Sequence, residues 1–421
     1  MKIAIIGSGI SGLYCAWQLS KQHQVTVFEK NAYFGGHTDT HQLNINNQPQ
    51  AIDSGFIVFN EQNYPVFCDM IQKLGVSWQQ SNMSFSVNNL MTGLVYNPST
   101  LWALLAKPAN IFKPRFRSMM KDLFRFYKDN IDINTLDIPV DLTLGQYLTQ
   151  NNYSHAFKEE HIYPMCGALW SATGEQIEKI PFLFAVGFFQ NHNMLQVDHR
   201  PQWLTIKGGS NSYIKAIQTQ CPDIQWKTSE VLEVNRTHVS ETDVVKVVHQ
   251  HGSDEFDWVI MASHADQTLQ MLHSPHAKEH EILSSFQYQP NHMIVHTDTS
   301  IMPRAQSQWA SWHVHVQQDT QGEPNYGYTY WMNKLQNLSS KTQVFSSLNC
   351  PLPIKHEHIH VERHYTHPVF DSKALAAQSC WDDINGIDRI SYCGAYWGWG
   401  FHEDGAKSAK RVVDHIKGLQ R

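Results

Sequence analysis

The chain has 421 residues, 42% of them apolar and 17% charged, with a formal charge of −6 at pH 7. That length holds two or three domains with substantial cores, and the balance argues against extended disorder and against a global basic field for nucleic acid. Seven cysteines with no C-x-x-C pair point to a reducing, cytoplasmic setting rather than a disulfide framework. The N-terminal apolar run is too short for a signal peptide, and no stretch approaches the roughly 18 apolar residues of a membrane span.

Lys2 to Ile6 reads as a parallel strand buried on both faces. It runs into Gly7-Ser8-Gly9-Ile10-Ser11-Gly12, then a helical pattern through Leu13, Ala16, Trp17 and Leu19, then a second strand from Gln24 to Phe28 that ends at Glu29. In that context the glycines describe a dinucleotide site. Gly7 permits the turn, Gly9 lets backbone approach a pyrophosphate at the helix N-terminus beside Ile10 and Ser11, and Gly12 lets the helix lie close to the sheet. Glu29, followed by Lys30, is placed for a ribose hydroxyl, which favours FAD or NAD over NADP. A second glycine turn, Gly35-Gly36-His37-Thr38, tilts the choice toward FAD, whose longer body needs cover along its length. Ala51 to Val58 reads as a strand interrupted at Gly55, next to Phe56, where a ligand or another backbone comes close.

Together these motifs resemble the flavin-containing amine oxidase superfamily, to which phytoene desaturases and protoporphyrinogen oxidase belong. The resemblance recurs at Lys207-Gly208-Gly209, at Val231 (the adenine contact of that superfamily), at Asp257 to Ala262 and from Ile390 to Ala409. More closely, D-S-G-F-I-V-F-N and G-W-G-F-H-E-D-G resemble a bacterial NAD/FAD-binding branch associated with fatty-acyl lipid modification. Two positions depart from the superfamily. His37 stands where an arginine usually meets the pyrophosphate, and Gly394-Ala395 replaces Gly-Glu or Gly-Asp, leaving Glu403 or Asp404 to substitute. The implied fold is α/β. A discontinuous Rossmann-like FAD domain spans 1–75, 200–265 and 380–421, and an α+β substrate domain spans 76–199 and 266–379.

Further along, Leu74 to Asn97 shows short alternating runs that begin the substrate domain. The 98–130 segment pairs an apolar face (Leu101, Trp102, Leu104, Leu105, then Phe112, Phe116 and Phe124) with seven bases from Lys107 to Lys128. A basic amphipathic helix suits either a peripheral contact at the inner membrane face or a solvated helical subdomain. Thr143 to Phe189 reads as helical. Met165, Cys166 and Trp170 within it suit either a slot for a long apolar substrate or close helix packing. Gln287 to Arg363 reads as an antiparallel sheet. His356, His358 and His360 would share one strand face, read as a polar face and not a metal site.

The closing glycine-aromatic stretch precedes a helix whose N-terminus would face a flavin. Gly394, Gly400, Phe401, Glu403, Asp404 and Ala406 are its cofactor candidates. Tyr396, Trp397 and Trp399 are candidates, with Trp170, to line the substrate side. His402 and Glu403 are the acid/base candidates. The expected activity is transfer of hydride from a hydrophobic, fatty-acyl substrate to non-covalent FAD. A double-bond isomerase without net redox, an amine oxidase and a flavin-binding partner of a lipid-modifying enzyme remain alternatives.

Overall fold

Lys2–Ile6 is buried from its second residue onward and forms the central strand, β1, of a five-stranded parallel sheet. The computed structural model describes residues 1–98, 108–130, 138–196, 201–239 and 242–419. The sheet runs in the order Ile390–Tyr392, Trp258–Met261, β1, β2 (Gln24–Glu29), Gln225–Thr228. Ile3 is flanked by Trp258 on one side and Val25 on the other. Lys2–Ile6 and Trp258–Met261 read as continuous apolar runs because both faces are covered there. Ile3, Ile5, Val25 and Val27 enter one core, whereas Ala4, Ile6, Phe28 and Met261 enter a second.

Helix α1 (Ile10–Leu19) covers the first face with nine of its ten residues buried. It lies against the C-terminal helix His402–Gly418, where small residues let the two axes close up. Ser11 Oγ donates to the Gly405 carbonyl at 2.9 Å, and a Cβ on Gly405 would meet Ile10 Cγ2 at 2.6 Å. The other face is covered partly by residues 265–286 and 370–384, whose Leu283, Phe286, Ala374 and Ile384 share a core with β1. Of these, Leu283, Phe286 and Ala374 come from the 266–379 segment that the sequence assigns to the substrate domain, and Ile384 from the 380–421 segment that it assigns to the FAD domain.

The second layer is a seven-stranded sheet in the order Ile359–Val369, Gln287–His296, Phe345–Leu348, Pro324–Trp331, Trp312–Gln318, Phe85–Asn89, Leu94–Tyr96. Its pairs are antiparallel except Trp312–Gln318 with Phe85–Asn89, which is parallel. Helices Pro114–Asp129, Tyr163–Trp170 and Phe182–Asn191 complete its core.

Several expectations change. The strand at Ala51 ends at Asp53, because Gly55 turns onto the second glycine loop: a Cβ there would stand 2.0 Å from the His37 carbonyl. The basic helix begins only at Pro114, after a 3-10 turn at Pro108–Phe112; Leu101, Trp102, Leu104, Leu105 and Lys107 lie outside the described residues. His356 and His358 sit in a 3-10 turn, and only His360 is on the following strand.

Asp53 ties the layers together. Its buried carboxylate accepts Thr40 Oγ1 at 2.5 Å, Ser210 N at 3.0 Å and Gln336 Nε2 at 2.8 Å, and burial pushes its pKa up to about 6. A constraint as tight as that at Gly55 holds at Gly12, where an added Cβ would stand 2.0 Å from the Gly7 carbonyl. Gly12→Ala is therefore expected to lower the unfolding free energy by at least about 2 kcal/mol in a denaturant titration; an unchanged midpoint would contradict the close approach.

Candidate active site

The C-terminal edge of β1 opens on a cavity of about 1140 Å³, lined at one end by Gly7, Gly9, Ile10 and Ser11. This is the position where parallel sheets bind ligands, outside the carboxyl ends of the strands. A Cβ on Gly9 would meet nothing within 4 Å, and Gly9 caps α1 without any side-chain hydrogen bond. The first N–H groups of α1 thus face the cavity at its positive end, an arrangement suited to a pyrophosphate. Glu29, also on the wall, accepts Ser8 N at 3.1 Å, Ser8 Oγ at 2.6 Å and Asn31 N at 2.9 Å. Ser8 Oγ in turn accepts Gly35 N at 3.0 Å, which couples the two glycine turns.

Lys30, Gly35, Gly36, His37, Gly55, Phe56 and Val231 all line this cavity. Among the described lining residues only Glu29, Lys30 and Glu230 carry a formal charge, and all three lie toward the nucleotide end. His37 belongs to a histidine cluster. Its ring lies 5.0 Å from Tyr365, 5.2 Å from His367 and 6.0 Å from His264. Burial lowers the pKa of His37 to about 4 and of His264 to about 3, and drives His367 well below its ordinary value. At neutral pH His37 therefore brings no positive charge in place of the missing arginine. Its buried Nε2 has no partner among the described residues, as a polar atom awaiting a ligand would be.

Gly394, Tyr396, Trp399, Gly400, Phe401 and His402 form the middle of the wall. His402 stacks on Phe56 with ring centroids 3.7 Å apart, and its Nε2 is 3.1 Å from Tyr213 Oη. Burial keeps it neutral, far below its ordinary pKa, so it is a wall and hydrogen-bonding group rather than an acid at neutral pH. Beyond it the lining becomes apolar: Met83, Phe85, Met165, Leu169, Met293 and Leu348. Trp170 joins this part and donates Nε1 to the Trp399 carbonyl at 3.2 Å.

Other sequence candidates lie off the cavity. Glu403 accepts Val66 N and Phe67 N, each at 3.0 Å, and so caps the helix Pro65–Lys73. Asp404 accepts Phe401 N at 2.9 Å, a cap for its own helix. Thr38 hydrogen-bonds Tyr213 Oη at 2.5 Å; Ala406 and Cys166 are core residues. Trp397 packs on Phe286 at 5.2 Å instead of facing the cavity, and Gly12 packs on Gly7. Conversely, His264, Tyr365, His367, Phe188 and His192 line the cavity without having been singled out. His264 could have been found, since it follows a parallel strand by three residues, in the crevice that such sheets reserve for ligands.

The sequence profile of the family described as flavin containing amine oxidoreductase matches residues 10–345. A comparison with curated proteins finds no match. Among solved structures, a protein of Exiguobacterium sp. 255-15 assigned as a protoporphyrinogen oxidase superposes with a TM-score of 0.72 at 14% identity, covering 100% of this chain and 99% of its own. Cyclohexylamine oxidase from Brevibacterium oxydans IH-35A gives 0.69 at 15% identity, with 100% and 99% coverage. The CLA-producing fatty acid isomerase from P. acnes gives 0.67 at 14%, with 98% of each chain covered. At these identities the likeness is one of fold.

The geometry separates Glu29 from Glu403, two acidic residues that are both cofactor candidates in the sequence. Glu403→Ala leaves two amides of the 65–73 helix without their cap and is expected to destabilise the fold by about 1–3 kcal/mol while the protein still binds its cofactor. Glu29→Ala is expected to abolish binding of the cofactor. Equal loss of cofactor in both variants, read from visible absorbance, would contradict this assignment.

Proposed function

The chain belongs to the flavin-containing amine oxidoreductase family and is a flavin-dependent oxidoreductase; on that premise we propose that it oxidises a hydrophobic, fatty-acyl substrate with non-covalently held FAD. Support for the dinucleotide form comes from Glu29 and Val231, which add a ribose and adenine end to the site.

The observation that carries the substrate class is the uncharged far part of the cavity. A cationic amine held there would need a buried counter-charge, and Met83, Phe85, Met165, Leu169, Met293 and Leu348 offer none. The same surface suits an acyl chain, whose binding draws on burial of methylenes at about 0.8 kcal/mol each. This fold takes a fatty acid in the P. acnes isomerase.

Flavin bound in the site supplies the acceptor for a hydride. The protein's part is to position the chain and keep water out. Phe188 stacks on Phe401 at 4.7 Å, and Trp399 packs edge-on to Phe188 at 5.9 Å. His192 is the group we assign to take the accompanying proton. Its Nδ1 donates to the Phe188 carbonyl at 3.0 Å, which leaves Nε2 as the basic nitrogen. Burial lowers its pKa to about 4, so it stays unprotonated throughout the neutral range.

The test is anaerobic mixing of the yellow protein with long-chain fatty-acyl lipids and, separately, with polar amines. Bleaching by the lipid alone is expected; bleaching by amines alone would overturn the proposal. A shifted double bond without bleaching or acceptor consumption would establish the isomerase instead. His192→Gln should retain flavin yet lower kcat at least about 100-fold, and wild-type kcat should stay flat from about pH 8 to 5.

A further inference from the structure

The helix Pro114–Asp129 turns one face into the core through Phe116, Met119, Leu123 and Phe126. Its exposed face is a stripe. Arg117, Lys121, Phe124 and Lys128 are all exposed, and at intervals of four, three and four residues they fall within roughly 60° of one another on a helix of 3.6 residues per turn. The other two arginines of this helix are engaged within the protein. Arg115 pairs with Glu159 and Glu160, and Arg125 pairs with Asp122 at 3.0 Å while lying 3.9 Å over the Tyr153 ring. Arg117, Lys121 and Lys128 make no ion pair among the described residues. The nearby exposed acid, Asp129, stands about a third of a turn off the stripe and lies 3.4 Å from Tyr153 Oη.

Apolar side chains gather at the same end of the molecule. Ile111 and Phe112, just before the helix, are 44% and 82% exposed. Lys113 donates Nζ to the Gly93 carbonyl at 3.2 Å, which holds the turn carrying Leu90 and Met91, each 45% exposed, against that end. With Phe124, these make five of the ten large apolar side chains that are exposed among the described residues. A merely solvated helix face does not need an almost fully exposed phenylalanine beside unpaired bases.

We propose that this face docks the protein on a bilayer of anionic lipids, with Phe112, Ile111 and Phe124 entering the headgroup boundary and Arg117, Lys121 and Lys128 meeting lipid phosphates. Charge selects this occupant. A second copy joined through the same patch would set these bases against themselves, whereas an anionic surface complements them. The proposal is independent of the substrate assigned above.

The test is co-sedimentation of the full-length flavin-loaded protein with vesicles of equimolar phosphatidylglycerol and phosphatidylcholine, against phosphatidylcholine alone. Binding only to the anionic vesicles, weakened by salt, is expected. Arg117→Gln, Lys121→Gln and Lys128→Gln should each weaken it roughly fivefold, and Phe112→Ser should weaken it as well. Lys215→Gln, on an unrelated exposed helix face, should not. Retained flavin colour in every variant reports that the fold is intact. Absence of binding, equal binding to both vesicle types, or variants that bind like wild type would overturn the proposal. So would a lipid-free dimer that Phe112→Ser dissociates.

Discussion

Glu29 is 6% exposed, and its carboxylate is held at the end of β2 by two donors from Ser8 and one from Asn31. A buried carboxylate is tolerable only with its lone pairs satisfied, so it fixes the first glycine turn against β2. Ser8 passes the constraint on to Gly35, and Gly36 is brought within 3.1 Å of the Gly9 Cα, measured from an added Cβ. The phosphate-facing end of α1, the ribose position and the covering loop are therefore one unit. The remaining wall is brought to it by long-range packing, chiefly of the C-terminal helix onto α1.

That unit was legible because everything in it is local. Strand, turn, helix, strand and acid follow one another within Lys2–Glu29, and each residue type answers a backbone need that only a few types meet. Ser8 does not stand out in the sequence, because a serine between two glycines has an ordinary meaning until its hydroxyl is seen bridging Glu29 and Gly35. The C-terminal stretch was legible as a motif but not as an assignment of roles. Glu403 and Asp404 sit next to His402 in sequence, yet a helix turns successive residues by 100°. One residue faces the cavity, and its neighbours reach the 65–73 helix and their own N-terminus.

The far wall was legible only as a class of structure. The strands of the seven-stranded sheet announce themselves by alternation, but which alternate face meets the cavity depends on pairings across more than 200 residues, such as Trp312 with Phe85. His37, His264 and His367 come from three distant stretches, and their shared burial makes them neutral. No spacing in the sequence encodes that. The amphipathic segment shows the opposite case: its charge pattern was visible from the start, but only the structure separates the bases paired inside the protein from those left facing outward.

The account stands on one claim, that the cavity beneath the two glycine turns holds a flavin dinucleotide. The direct measurement is the visible spectrum of the purified protein, followed by denaturation and chromatographic identification of what is released. A two-banded yellow spectrum with intact FAD in the supernatant is the expected result. A colourless protein that FAD fails to reconstitute, or release of a nicotinamide dinucleotide alone, would contradict it and remove the basis for the substrate assignment.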